Sequence, residues 1–161
     1  MTKIALDAID RRILAELQAD ARLTTVELAD RVGLSASPCT RRLKRLEDDG
    51  VIAGYRATLD RAKLGLGLTL YVGVKTERHQ EADAKAFEVA VNALDEVISC
   101  HLMSGDIDFL LQIVVPDLQG YERLLYDALL KLPGVKDIRS SFAIRTVKTE
   151  GPLPLDHLPA R

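Results

Sequence analysis

The sequence predicts an α+β chain in two parts, helical up to about residue 58 and mixed strand and helix from residue 68. Three observations carry this. Apolar residues before residue 50 recur at i, i+3, i+4 and i+7, the spacing of helices with one buried face. From residue 68 the pattern changes to short alternating runs, the spacing of strands, interleaved with two further helical stretches. Between the two lies DRAKLGLG, where periodicity stops and Gly content rises, so 59–67 reads as a linker or hinge.

In the first helix Asp7 is placed to cap, and Ile9, Ile13, Leu14 and Leu17 form the apolar face. The second opens on Thr24 with Glu27 three residues on, the pattern of a capping box. It buries Leu28, Ala29 and Val32 and stops at Gly33, which supplies a left-handed end. The third begins near Ser35 or Ser37, either able to cap, with Pro38 in the first turn where a missing N–H costs nothing. Cys39, Leu43 and Leu46 make its buried stripe. At 100° per residue the opposite face carries Ser37, Arg41, Lys44 and Arg45, flanked by Thr40 and Arg42. Glu47, Asp48 and Asp49 follow at the far end, Gly50 ends the helix, and VIAGYRATL reads as a short strand.

Two short helices joined by a tight Gly-bearing turn, the second with a basic outer face, are the parts of a helix-turn-helix unit. Such a unit lays its second helix in the major groove of duplex DNA. The DNA-contacting candidates are therefore Ser37, Thr40, Arg41, Arg42, Lys44 and Arg45. Arg41, early in the helix and opposite the buried stripe, is the first choice for a base contact. The competing reading is a solvated basic face on an ordinary bundle. The shortness of the helices, the tight turn and the lack of interleaved acids weigh against it. Residues 1–64 hold 12 Lys and Arg against 10 Asp and Glu, and residues 65–161 hold 10 against 14, a balance of +2 and −4. A local basic stripe on a weakly charged chain suits a specific binder better than a nucleic-acid coat protein.

The second part, 68–150, reads as strand 68–76, helix 80–94, strands 97–103 and 107–115 joined at Ser104-Gly105-Asp106, helix 118–132 and a last strand 135–148. The order β-α-β-β-α-β is that of a ferredoxin-like sandwich. Its two helices cover one sheet face, yet Leu110 and Val114 stand opposite Phe109, Leu111 and Ile113 on their strand. A sheet apolar on both sides needs a second cover. A homodimer through the sheet provides it, and its symmetry suits two recognition helices reading half-sites about 34 Å apart or a multiple of that.

Composition excludes several classes. No apolar run approaches the ~20 residues that span a bilayer, and the opening MTKIALDAIDRR carries no signal-peptide stretch. The two cysteines, Cys39 and Cys100, fall inside apolar-periodic elements, which points away from a disulfide framework and toward a reducing cytoplasm. The absence of Trp argues against single-strand binding by base stacking. Cys100 and His101 are adjacent on a strand and point to opposite faces, and His79 and His157 have no partners at ligand spacing, so no metal or other cofactor is expected. No nucleophile–base pair or phosphate-cradling loop appears, so the chain reads as a non-enzyme. The proline-bearing tail 151–161 reads as extended, either mobile or lying across a neighbouring subunit.

LDAIDRRILAELQADARLT, SASPCTRRLKRLEDDGVIAGY, SGDIDFLLQ and LPGVKDIRSSFAIRTVK occur in this order and resemble the leucine-responsive regulator/AsnC (Lrp/AsnC) family of bacterial transcription factors, over residues 4–150. The resemblance implies an N-terminal DNA-binding domain (1–58), a C-terminal domain for amino-acid response, and dimers that associate further into tetramers or octamers. It also implies that the Gly-Asp-x-Asp turn, here Gly105, Asp106 and Asp108, lies by the effector pocket. Met103 and Ser104 complete that turn, and Ser140 and Ser141 add hydroxyls from the last strand. A free amino acid needs acceptors for its ammonium and donors for its carboxylate, which acidic side chains and loop N–H groups supply. The alternative for SGDID is a turn that merely closes a hairpin. Two whole-chain alternatives stand beside the regulator: an enzyme on the sandwich, and an architectural DNA-binding protein that needs no effector.

Overall fold

The computed structural model describes residues 5–77, 81–149 and 151–158. Its elements are α1 (Ala8–Ala19), α2 (Thr25–Val32), α3 (Ala36–Asp48), β1 (Leu68–Thr76), α4 (Glu81–Val91), β2 (Val97–Leu102), β3 (Phe109–Val115), α5 (Leu118–Asp127) and β4 (Val135–Phe142). They fall into two compact units: Met1–Thr58 with Lys148–Arg161, and Leu59–Val147.

In the first unit each helix packs its apolar stripe on the other two. Ile13, Leu14, Leu28, Ala29, Val32, Cys39 and Leu46 form one buried cluster. Asp7 caps α1 and closes a capping box with Asp10. Thr24 and Glu27 close a second: the Glu27 N–H donates to Thr24 Oγ1 at 3.3 Å, and the Thr24 N–H donates to Glu27 Oε2 at 2.8 Å. The Thr24 groups also hold the Glu27 carboxyl below its ordinary pKa. Gly33 ends α2 with φ 73°, and the Leu34 N–H donates to the Ala29 carbonyl at 2.8 Å. Thr24→Ala removes one acceptor for the orphan N–H groups of α2. It should cost about 1 kcal/mol, read as a lowered thermal midpoint of this unit. Ser35 occupies the cap position of α3 but makes no side-chain cap bond, so neither serine caps as the sequence suggests.

Two readings outside the three helices become specific. VIAGYRATL is not a strand: 53–60 is irregular and exposed, because no segment among the described residues offers it a ladder. It is held to α3 by the Ile52 N–H, which donates to the Leu46 carbonyl at 3.1 Å, and by the Tyr55 hydroxyl, which donates to Glu47 Oε1 at 2.9 Å. The tail lies on its own helical unit. Gln18 brackets Leu153, its amide accepting from the Leu153 N–H at 2.6 Å and donating to the Leu153 carbonyl at 3.2 Å. Arg11 donates to the Leu158 carbonyl at 3.2 Å, and Leu155 packs against the helical core.

The second unit is an antiparallel sheet of order β2-β3-β1-β4, the arrangement of a ferredoxin-like sandwich. Leu70, Val72 and Val74 of β1 and Phe109, Leu111, Ile113 and Val115 of β3 face α4 and α5, meeting Phe87, Val91, Tyr121 and Leu124. Several ends shift inward from the sequence reading. α4 stops at Val91, β2 at Leu102, and β3 begins at Phe109. His79 and the start of the 80–94 helix lie outside the described residues. The 118–132 helix breaks at Ala128 and continues as a 3-10 turn, Leu129–Lys131. Leu132, extended before Pro133, stops it there. β4 stops at Phe142, where its pairing with Leu70 ends.

The other sheet face is less apolar than the β3 sequence alone implies. Register places Tyr71, Gln112 and Ser141 side by side there, with Leu110 and Arg139 flanking Gly73. Ile107 lies over Gly73: a Cβ at that position would come within 3.0 Å of the Ile107 side chain. No helix among the described residues is long and apolar enough to cross a membrane.

Candidate functional site

The outer face of α3 follows from its stripe. With Cys39 and Leu46 fully buried, Ser37, Thr40, Arg41 and Lys44 are turned to solvent. Thr40 Oγ1 donates to the Ala36 carbonyl one turn back at 2.9 Å, a bond that leaves its methyl and oxygen lone pair on the surface. Arg41 and Lys44 have no hydrogen-bond or ion-pair partner among the described residues. They form the open cationic pair of the helix.

The other two candidates are held differently. Arg42 Nη1 donates to Asp7 Oδ2 at 2.6 Å and to Asp10 Oδ1 at 2.9 Å. Arg45 Nη2 donates to the second Asp10 oxygen, Oδ2. Asp10 is only 1% exposed and is the buried charged residue of this unit. The Asp7 N–H also donates to Asp10 Oδ2, at 3.1 Å, so the buried carboxylate receives three donors. The Asp10 N–H, and beside it the Arg42 guanidinium, hold the Asp7 carboxyl below its ordinary pKa. Helical projection put Arg42 on the flank of the DNA face; the structure turns it toward α1. Neither acid was singled out for this from sequence. The signal was present as two acids one turn apart on α1 matched by two arginines one turn apart on α3.

The second candidate site is the turn 103–108 between β2 and β3. The Met103 N–H donates to the Asp108 carbonyl at 2.8 Å and closes it. The Asp108 N–H donates to the Val74 carbonyl at 2.9 Å. Asp108 Oδ2 accepts from the Thr76 N–H at 2.7 Å and from Thr76 Oγ1 at 2.8 Å. Asp108 thus ties the turn to the end of β1, a partner that sequence spacing did not reveal. Met103, Ser104, Gly105 and Asp106 are exposed above it. Gly105 has φ 127°, and no atom lies within 4 Å of where its Cβ would stand. That combination leaves main-chain groups at the tip open to a ligand.

Ser140 and Ser141 part company. Ser140 pairs with Val72 on the helix-covered face, where its hydroxyl bonds the Tyr121 hydroxyl. Ser141 pairs with Tyr71 on the opposite face. Cys100 and His101 likewise lie on opposite faces, against Leu111 and Leu110. Among the described residues no group of three His, Cys, Asp or Glu side chains is placed to hold a metal. Cys39 is fully buried, and burial pushes its thiol pKa up, away from the reactive thiolate.

Comparison with known proteins matches each of the two units to a family model. Residues 6–53 match the family model of a winged helix-turn-helix DNA-binding domain, and residues 69–153 match that of the Lrp/AsnC ligand binding domain. The leucine-responsive regulatory protein of Escherichia coli K12 is 46% identical over 143 residues, which is 89% of this chain and 87% of that protein. Among solved structures, a transcriptional regulator from Neisseria meningitidis in complex with L-methionine superposes with a TM-score of 0.92. It is 41% identical and covers 96% of this chain and 100% of its own. An AsnC family transcriptional regulator from Agrobacterium tumefaciens gives a TM-score of 0.91 at 38% identity, with the same coverage. A DNA-reading helical unit and a ligand-binding sandwich follow one another in a single chain, with relatives matched over nearly its whole length: the chain belongs to the Lrp/AsnC family of transcriptional regulators.

Proposed function

We propose that the chain binds a duplex DNA operator through α3 and that a free amino acid, received at the turn 103–108, changes its assembly or its operator affinity. The observation that carries this is the pairing in one chain of an open cationic helix face, Arg41 and Lys44, with an exposed glycine-tipped acidic turn anchored to β1 through Asp108 and Thr76. Ser37 and Thr40 supply hydroxyls beside the cations. Met103, Ser104, Gly105 and Asp106 surround the ligand, with Ser141 on the open sheet face. The amino-acid class has further support from the Neisseria relative, which was solved with L-methionine. Asp106 is the ammonium acceptor in this reading, and Asp108 keeps the turn in shape. Ser140, bonded to Tyr121, acts from beneath the sheet rather than as a ligand contact.

The working unit is a homodimer through the open sheet face, assembling further into tetramers or octamers in the cytoplasm, with no catalytic role. Two-fold pairing gives two α3 helices and hence a two-part operator. A regulator needs an effector that binds one state better than another. Screening the twenty amino acids by thermal shift, with sizing and operator titration for each hit, should therefore find at least one that moves melting temperature and either assembly or DNA affinity. Asp106→Asn should abolish that thermal shift while dimer and DNA binding persist. If all twenty leave melting, size and DNA affinity unchanged, the chain is an effector-independent architectural DNA-binding protein instead.

A further inference from the structure

Among its described residues the first helical unit buries one carboxylate, Asp10, beneath the helix that reads DNA. Burying a charge is costly unless it is paired and hydrogen-bonded. Here the pairing comes from α3 itself: Arg42 lies 2.9 Å from one oxygen of Asp10, Arg45 bonds the other, and the Asp7 N–H adds a third donor at 3.1 Å. Asp7 takes the same Nη1 of Arg42 at 2.6 Å. The side chains of Arg42 and Arg45 are still 25% and 45% exposed. Neither guanidinium is locked in the core by packing. Their carboxylate partners on α1 hold them there.

We propose that Asp10 is a positioning residue for DNA recognition. By holding Arg42 and Arg45 against α1, it withdraws two of the four cations of α3 from the phosphate backbone and leaves Arg41 and Lys44 to face the groove. The proposal rests on α3 being the DNA-contacting helix. Phosphate contacts add sequence-independent affinity, whereas base contacts add discrimination. A helix with four mobile cations would grip any duplex. One with two cations tethered by a fixed acid keeps a smaller non-specific term, so base contacts decide more of the binding.

Counterion release makes this measurable, because each phosphate contact adds about 0.9 to the slope of log affinity against log salt. The full-length protein is titrated with a random-sequence duplex over a series of salt concentrations. Asp10→Asn keeps the side chain's shape and removes its charge. Its slope should steepen by about 1 to 2, with the random-duplex affinity at low salt rising several-fold. Arg42→Gln and Arg45→Gln should leave the slope unchanged, since neither arginine is on phosphate. Arg41→Ala and Lys44→Ala serve as the reference and should make it shallower by about 0.9 where each contacts phosphate.

An unchanged slope in folded Asp10→Asn overturns the proposal. If that variant does not fold, the arginine variants decide. A slope shallower by about 0.9 in either Arg42→Gln or Arg45→Gln shows that arginine already on phosphate and overturns the proposal; unchanged slopes in both support it. Should Arg41→Ala and Lys44→Ala also leave salt dependence and affinity untouched, the assignment of α3 as the DNA-contacting helix fails, and the positioning role fails with it. A merely structural aspartate would lower the melting temperature without moving any slope.

Discussion

Phe87→Ala is expected to destabilise the sandwich unit by about 3–5 kcal/mol. Phe87 is completely buried on α4 and stacks on Phe109, with ring centroids 4.3 Å apart and planes 26° from parallel. It shares its buried cluster with strand residues such as Val72, Val74 and Leu111, also fully buried. Strand backbones fixed on both sides by ladder bonds cannot close onto the void, so most of the cavity cost remains. A domain of this size has only about 5–15 kcal/mol of total stability, so a single truncation removes a large share. Function should suffer early, because Phe109 begins β3 directly after the turn that Asp108 anchors to Thr76. The helical unit has its own core around Ile13, Leu28 and Leu46 and should keep its protection. Hydrogen exchange through a denaturant series tests this, with loss expected across β1, β3 and α4 but not across α1–α3. A shift under about 1 kcal/mol, or equal losses in both units, would contradict the argument.

What the sequence disclosed and what it hid divide along a physical line. Periodic burial and local capping are written in neighbouring residues, so the Thr24–Glu27 box, the Gly33 stop, the Cys39–Leu46 stripe and the β-α-β-β-α-β order were all legible. Contacts made across long sequence separations were not. Arg42 lies on the flank of a helical projection, and only the packing of α1 on α3 decides that it turns to Asp7 and Asp10 rather than outward. Ser140 and Ser141 look equivalent in sequence, yet strand alternation sends one hydroxyl to Tyr121 and the other to the open face. Asp108 matched its motif by position, but its tie to Thr76 depends on β1 lying beside β3. The VIAGYRATL segment has strand-like residues and no ladder partner, and strand propensity without a partner forms no strand.

These long-range contacts sharpen which arginine matters. With Arg42 and Arg45 engaged by α1, Arg41 is the one arginine of α3 without a carboxylate partner among the described residues. A guanidinium at this position presents the two parallel donors that match guanine O6 and N7 in the major groove. Arg41→Ala should therefore weaken operator binding by about 1–3 kcal/mol, roughly 5- to 150-fold, while lowering affinity for a random duplex much less. Arg41→Lys separates geometry from charge. Lysine keeps the cation but loses the planar fork, so a base contact is largely lost and a phosphate contact largely kept. Titrating both variants on the operator and on a random duplex distinguishes the cases. Equal losses on the two duplexes for Arg41→Ala, with near-full recovery in Arg41→Lys, would place Arg41 on the backbone. Discrimination would then have to come from Ser37, Thr40 or Lys44. A selective loss that lysine fails to restore would make Arg41 the residue that reads the operator, held to that role by the acids that keep its neighbours away.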